Sequence, residues 1–106
     1  MTDRELLELA AKAAGLSLEQ GPGSPPEKCF GACWDGDTWD YWNPLDDDCD
    51  ALRLAVKLFF TVGVEHGFTE VLTLNGREIT ESHNDDALSA TRRAIVRAAA
   101  EIGRRR

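Results

Sequence analysis

Several features that would place this sequence in a common functional class are absent. Its longest mainly apolar run, LFFTVGV, is far shorter than the roughly 20 residues that a membrane-spanning helix needs. The chain begins with MTDRELLELAAKAAG, in which charges interrupt the apolar core that a secretory signal peptide requires. Lys and Arg are scarce, since 12 of them stand against 19 Asp and Glu and leave a formal net charge of −7. These absences predict a cytoplasmic protein that binds neither membranes nor, by general electrostatics, nucleic acid.

Signatures of metal binding and catalysis are missing as well. Cys29, Cys33 and Cys49 have no paired spacing with His66 or His83 that would predict a zinc site, and free thiols are the simpler interpretation. No local cysteine–histidine signature of a nucleophilic enzyme is present. The segment GPGSPP lacks both the lysine and the strand-to-helix context of a phosphate-binding loop. The sequence therefore predicts a protein that is not an enzyme and holds no metal and no cofactor.

What is present is the composition of one folded domain. The 106 residues are 42% apolar and 29% charged, which is typical of a globular protein. A chain of this length buries enough surface to fold without disulfides. We predict a single domain over residues 1–106, as a monomer or a small homo-oligomer.

Apolar periodicity predicts three helices. Over residues 3–14 apolar side chains recur at three- and four-residue spacing, Thr2 and Glu5 are typical of a capping box, and Gly15 ends the helix. The second helix covers residues 47–58. It is apolar around most of its circumference, so we expect it to be the most buried of the three.

Aromatic-rich and alternating runs predict the strands. The run CFGACWDGDTWDYW is typical of a hairpin around Asp35-Gly36. FFTVGV, TEVLTL and REITES predict a meander, in which Asn75-Gly76 is typical of a type I′ turn. The order α-ββ-α-βββ-α predicts an α+β domain. Its antiparallel sheet would have four to five strands packed with three helices, as in an α/β/α sandwich.

Three stretches resemble a known family. They are WNPLDDDCDALRLAVKL, DALSATRRAIVRAAAEIG and the N-terminal ELLELAAKAAGL. All are similar to segments of small phage and prophage proteins of unassigned function, described as the phage α/β/α sandwich domain, and the likeness covers roughly half of the chain. Members often have a glycine at the position of Cys49. The resemblance implies a phage origin, a place in the bacterial host cell and the sandwich fold, and it implies no catalytic residues.

An aspartate cluster occupies residues 34–50, which contain seven aspartates and no Lys or Arg. Asp35 and Asp37 suit a turn, and one of the three consecutive aspartates at 46–48 suits a helix N-cap. A calcium or magnesium site is the weaker alternative, because DDDCD lacks the alternation and the spaced glycine and glutamate of an EF-hand loop. A third interpretation is imitation of nucleic acid toward a host protein that itself binds nucleic acid.

Aromatic side chains adjoin these carboxylates. Trp39 and Tyr41 alternate with Asp40 and Trp42 along the predicted strand, so they cannot all face one core, and an exposed aromatic is a strong binding anchor. We predict a non-enzymatic phage accessory protein that binds a host protein, for example an anti-defence factor such as a CRISPR inhibitor. The predicted protein-binding residues are Trp39, Asp40, Tyr41, Trp42, Asp46, Asp47, Asp48 and Asp50.

The third helix suggests an alternative function. It is predicted to begin at Asn84 or Asp85, and Arg93, Arg97 and Arg104 fall together on its polar side. A phosphate-binding strip would make the chain a small nucleic-acid-binding regulator, whereas a solvated helix face is the simpler interpretation. The predicted apolar stripe consists of Leu88, Thr91, Ile95, Ala98, Ala99 and Ile102.

Overall fold

The computed structural model describes residues 2–16, 18–19, 30–33 and 39–105, and the side chains of 2–16 and 42–105 among them. The predicted α+β class with three helices is confirmed. The elements are α1 (Asp3–Ala14), β1 (Leu18–Glu19), β2 (Phe30–Cys33), β3 (Trp39–Trp42), α2 (Asp48–Lys57), β4 (Thr61–Val64), β5 (Phe68–Leu72), β6 (Glu78–Ser82) and α3 (Ala87–Gly103). The predicted turn residues Asp35, Gly36 and Asp37 and the thiol of Cys29 lie outside the described residues.

The strands of the described residues form two antiparallel sheets of three, in the orders β1-β2-β3 and β4-β5-β6. The predicted single sheet of four to five strands is therefore wrong. Strands β2 and β3 do form the predicted hairpin, with Phe30 opposite Trp42, and the short strand β1 extends it. Alternation predicts which neighbours pair in a hairpin, but it carries no information on whether two hairpins join edge to edge.

The hairpin between β5 and β6 has a different turn from the predicted one. A type I′ turn needs positive φ at both Asn75 and Gly76, but only Gly76 has it, with φ of 89°. Thr73 N–H donates to the Arg77 carbonyl at 2.8 Å, and Gly76 N–H donates to the Thr73 carbonyl at 3.0 Å. These bonds close a three-residue loop with glycine in the left-handed region, which is the next most common hairpin connection.

Helix α1 begins and ends where the sequence predicts. The Thr2 hydroxyl accepts a hydrogen bond from the Glu5 N–H at 3.2 Å, which satisfies one of the free amides of the first turn. Gly15 adopts a φ of 74° at the C-terminal end, a left-handed conformation that glycine adopts at little cost.

Helix α3 lies at the centre of the fold, because it packs against α1, α2 and the sheet β4–β6. It begins at Ala87, later than predicted, since the Asp86 carboxylate is the N-cap and accepts from the Ser89 N–H at 3.0 Å. Small side chains let α1 approach closely, and a Cβ at Gly103 would lie 1.9 Å from the Leu9 carbonyl oxygen. The buried residues of α3 are Ala90, Ala94, Ile95, Val96, Ala98, Ala99, Ala100 and Gly103.

The sheet β4–β6 is covered by α3 on one face. Thr69 and Val71 are buried there, and the Thr69 hydroxyl is 2.7 Å from the hydroxyl of Thr91 on α3. The alternate residues Phe68 and Leu72 point to the opposite face and are partly exposed. Within the described part of the chain the helices lie on one face of this sheet, and the second helical layer of the predicted sandwich is not seen.

Helix α2 is less buried than predicted. It buries only Asp50, Ala51, Leu54 and Ala55, and it packs against α3 on that side. The expectation that this helix is the most buried of the three is therefore wrong. The apolar residues on its other side face solvent, which decides where the candidate site lies.

Candidate protein-binding surface

The first part of the predicted acidic surface organises the start of α2. Asp47 is the N-cap, and its carboxylate accepts hydrogen bonds from the N–H groups of Cys49 at 2.8 Å and of Asp50 at 3.3 Å. The Asp50 carboxylate is buried and accepts from the Asn43 N–H at 2.9 Å. Asp50 is therefore not part of the predicted binding surface. Its buried charge is stabilised by a hydrogen bond from the backbone that precedes α2.

The other two aspartates of this turn have partners as well. Asp48 forms an ion pair with Arg92 of α3 at 2.6 Å, and the same guanidinium donates to the Leu45 carbonyl at 2.8 Å. Asp46 accepts from the Asn43 side-chain amide at 3.4 Å. Both carboxylates are exposed, so Asp46, Asp47 and Asp48 together give the N-terminal end of α2 a negative surface.

Of the predicted aromatic anchors, only Trp42 has a described side chain. Trp42 is fully buried in the hydrophobic core, and this residue is therefore removed from the predicted binding surface. A tryptophan buries more apolar area than any other side chain, so its place in the core of a small domain follows from its size. Trp39, Asp40 and Tyr41 belong to β3, and their side chains lie outside the described set.

The arginines of the alternative hypothesis are all engaged by carboxylates. The pairs are Arg93 with Asp3 at 2.9 Å, Arg97 with Glu81 at 2.5 Å and Arg104 with Glu101 at 3.2 Å. The negative charge of each neighbouring carboxylate offsets the charge of the guanidinium and so weakens its attraction for phosphate. No observation of this structure therefore favours a phosphate-binding strip.

The feature that the sequence analysis missed is an exposed apolar surface on α2 and α3. We call it the α2 surface and define it by four side chains with more than half of their area in solvent. They are Leu52 (64%), Val56 (66%), Phe59 (71%) and Leu88 (63%). Leu52 and Val56 are neighbours one turn apart on α2, and large apolar patches on monomeric proteins mark interaction sites. The sequence does contain a signal for this surface, because α2 is apolar around most of its circumference. The same pattern also predicts a deeply buried helix, so the sequence alone does not distinguish the two.

A groove between α2 and α3 forms one side of this surface. Its volume is about 300 Å³, and Leu52 and Leu88 both contribute to its lining. The remaining lining residues are Asp48, Ala51, Ala55, Val62, Thr91, Arg92 and Ile95. Apart from the Asp48–Arg92 ion pair, these side chains offer almost no polar group, so the groove suits an apolar side chain of a ligand.

Phe59 has an unusual backbone conformation at the end of α2. Its φ is 57°, in the left-handed region that a bulky side chain rarely adopts. The Phe59 N–H donates to the Val56 carbonyl at 3.2 Å, and the Phe60 N–H donates to the Ala55 carbonyl at 2.9 Å. Such a conformation costs roughly 1–2 kcal/mol and is found where the surrounding structure or a function requires it. Here the large aromatic ring of Phe59 lies mostly in solvent.

The charges on the exposed side of α2 are divided between its two ends. Asp46, Asp47 and Asp48 lie at the N-terminal end, whereas Arg53 and Lys57 are exposed toward the C-terminal end. Among the described residues, no carboxylate forms an ion pair with Arg53 or Lys57. Two like charges four residues apart on a helix repel each other, so a carboxylate from a ligand would stabilise them.

Thr69, His83 and Thr91 form a polar cluster between the sheet β4–β6 and α3. The Thr69 hydroxyl is 2.7 Å from the His83 Nε2 and 2.7 Å from the Thr91 hydroxyl. Although a hydroxyl beside an imidazole is one requirement of a nucleophile, Thr69 is fully buried and a substrate has no access to it.

The described residues contain no group of three or more His, Cys, Asp or Glu side chains that would hold a metal ion. No helix among them combines the length and apolarity needed to cross a membrane.

Comparisons with known proteins found nothing similar. No protein-family model matches the chain, and no curated protein and no solved structure matches it either. The resemblance to the phage α/β/α sandwich family therefore stays a prediction from the stretches quoted above.

Proposed function

We propose that this chain functions by binding a partner protein through the α2 surface. The observation that supports the proposal is the exposure of Leu52, Val56, Phe59 and Leu88 beside an apolar groove. Burial of each such side chain in an interface contributes on the order of 1–2 kcal/mol. Four of them together contribute roughly 4–8 kcal/mol before the cost of association is subtracted, so these side chains would anchor an interface whose remaining contacts supply the rest of the affinity.

The chemistry of the surface selects an amphipathic helix as the occupant. A helix presents apolar residues at three- and four-residue intervals, which is the arrangement that lies along an apolar groove. Basic residues at one end of that helix would face Asp46 and Asp48. Acidic residues at its other end would face Arg53 and Lys57, so charge sets the direction of the bound helix.

The biological context of the proposal comes from the sequence. The resemblance to phage proteins suggests that the partner is a protein of the bacterial host, and the function would be to block a host defence system such as CRISPR. The net charge of −7 favours a host protein with a basic surface. Trp39, Asp40 and Tyr41 remain proposed contacts in addition to the α2 surface.

Capture of partners by single-residue variants tests the proposal. The tagged protein is incubated with host lysate, and stoichiometric partners are compared for the wild type, Leu52→Glu and Leu74→Glu. Leu74 is also exposed, at 79%, but lies in the β5–β6 turn, which makes it a matched control. We expect Leu52→Glu to abolish capture and Leu74→Glu to retain it, with both variants folded by circular dichroism. Equal capture by Leu52→Glu would show that the partner binds elsewhere.

A further inference from the structure

The exposed side of α2 is complementary to itself when a second α2 runs in the opposite direction. Its N-terminal end is acidic at Asp46, and its C-terminal end is basic at Lys57. In an antiparallel pair, the acidic end of each helix faces the basic end of the other. The two helix dipoles are then also opposed, which is the favourable arrangement.

The apolar residues of α2 have the spacing that such a pair requires. Cys49, Leu52 and Val56 are all exposed, at intervals of three and four residues along the helix. This is the spacing of a seam between two packed helices. A twofold axis near Leu52 would place the same residues of both copies along one seam, as an isologous interface demands.

We propose that a second copy of this chain packs antiparallel on α2, with Asp46 of each copy facing Lys57 of the other. The inference rests on the proposed function, since it names an occupant of the same surface. The self-associated form covers the α2 surface until the partner protein competes for it. Helix α2 has ten residues and is about 15 Å long, so the interface is at the small end of specific interfaces. We therefore expect a weak, reversible dimer, which a partner protein can displace by competition.

Charge-reversal variants, studied separately and mixed, test this arrangement. Sedimentation velocity across the micromolar range should show a monomer–dimer equilibrium for the wild type. In a symmetric dimer, position 46 of each copy faces position 57 of the other, so either Asp46→Lys or Lys57→Glu alone creates two contacts between like charges. We expect each variant to dimerise about tenfold more weakly than the wild type. An equimolar mixture of the two variants restores opposite charges at both positions, and we expect it to dimerise as the wild type does.

Matched controls separate this result from a general effect of charge. Lys12→Glu changes an exposed lysine in the last turn of α1, and Asp85→Lys changes an exposed aspartate that precedes α3. Neither should alter dimerisation. A wild type that stays monomeric throughout, or a mixture no more dimeric than its components, overturns the inference. Loss of partner capture by Leu52→Glu would still support the proposed function in that case, so the two failures are distinguishable.

Discussion

Replacement of Gly103 by alanine tests how closely α1 and α3 pack. The added Cβ would lie 1.9 Å from the Leu9 carbonyl oxygen and 2.7 Å from its carbonyl carbon. An ordinary contact begins near 3.4 Å, so one helix has to move by about 1.5 Å (3.4 − 1.9). The obstacle is backbone, which cannot rotate away as a side chain can. The displacement would spread along an interface built from small residues of both helices.

The magnitude follows from two opposing effects. Overpacking of a well-filled interior costs typically 1–3 kcal/mol, and the upper half of that range applies because the helix itself has to shift. Alanine favours a helix over glycine by up to about 1 kcal/mol, and less at the last helical residue. We therefore expect Gly103→Ala to lower the free energy of unfolding by about 2 kcal/mol, which for a chain of this size lowers Tm by roughly 10 °C.

Urea unfolding followed by circular dichroism measures this change, with the slope of the transition checked for two-state behaviour. Gly63→Ala is the control, since a Cβ there would lie 3.8 Å from the Glu70 carbonyl oxygen, an ordinary contact distance. A Gly103→Ala variant as stable as the wild type, or more stable, would refute the close approach of the two helices.

Two further predictions concern carboxylates. Asp47→Ala removes the α2 N-cap, so we expect it to lower the free energy of unfolding, measured in urea, by about 1 kcal/mol. The control Asp85→Ala removes an exposed carboxylate outside any cap and should leave urea unfolding unchanged. Equal effects of the two variants would contradict the capping role. The hydrogen bond and charge of Glu78 raise the pKa of Glu70 above its ordinary value of 4.5. The folded state then binds the Glu70 proton more tightly than the unfolded state, so this contribution is present below pH 4.5 and is lost as pH rises through the raised pKa. Glu78→Gln should flatten that decline in pH-dependent thermal unfolding, and an unchanged profile would contradict the coupling.

The parts of this fold that sequence reasoning predicted are local. The Thr2 cap of α1 and its glycine terminus depend on residues within four positions of each other, and both were found. The Asp47 cap of α2 belongs to the same class. Hairpin pairing was also predicted, because strand neighbours in sequence pair across a short turn. The turn itself was not, since Asn75-Gly76 fits two loop lengths and only the register of β5 and β6 decides between them.

The candidate site was missed for a different reason. Exposed apolar residues such as Leu52 and Val56 are of the same types as core residues. Apolar periodicity shows which residues share one side of a helix, but it does not show whether that side contacts solvent or another element. Among the described carboxylates of the aspartate cluster, those of Asp47 and Asp50 are bound by backbone amides and that of Asp48 by Arg92. Trp42 proved to be core.

The sequence by itself thus determined the three helices, the caps of α1 and α2, the hairpin pairings and the α+β class, because each depends on interactions between residues close along the chain. Tertiary structure alone decided that the strands divide into two sheets, that α3 and not α2 is central, and that one side of α2 faces solvent. Those outcomes depend on which surfaces meet across the fold. Burial is a property of the assembled molecule, and no single segment of the sequence carries it.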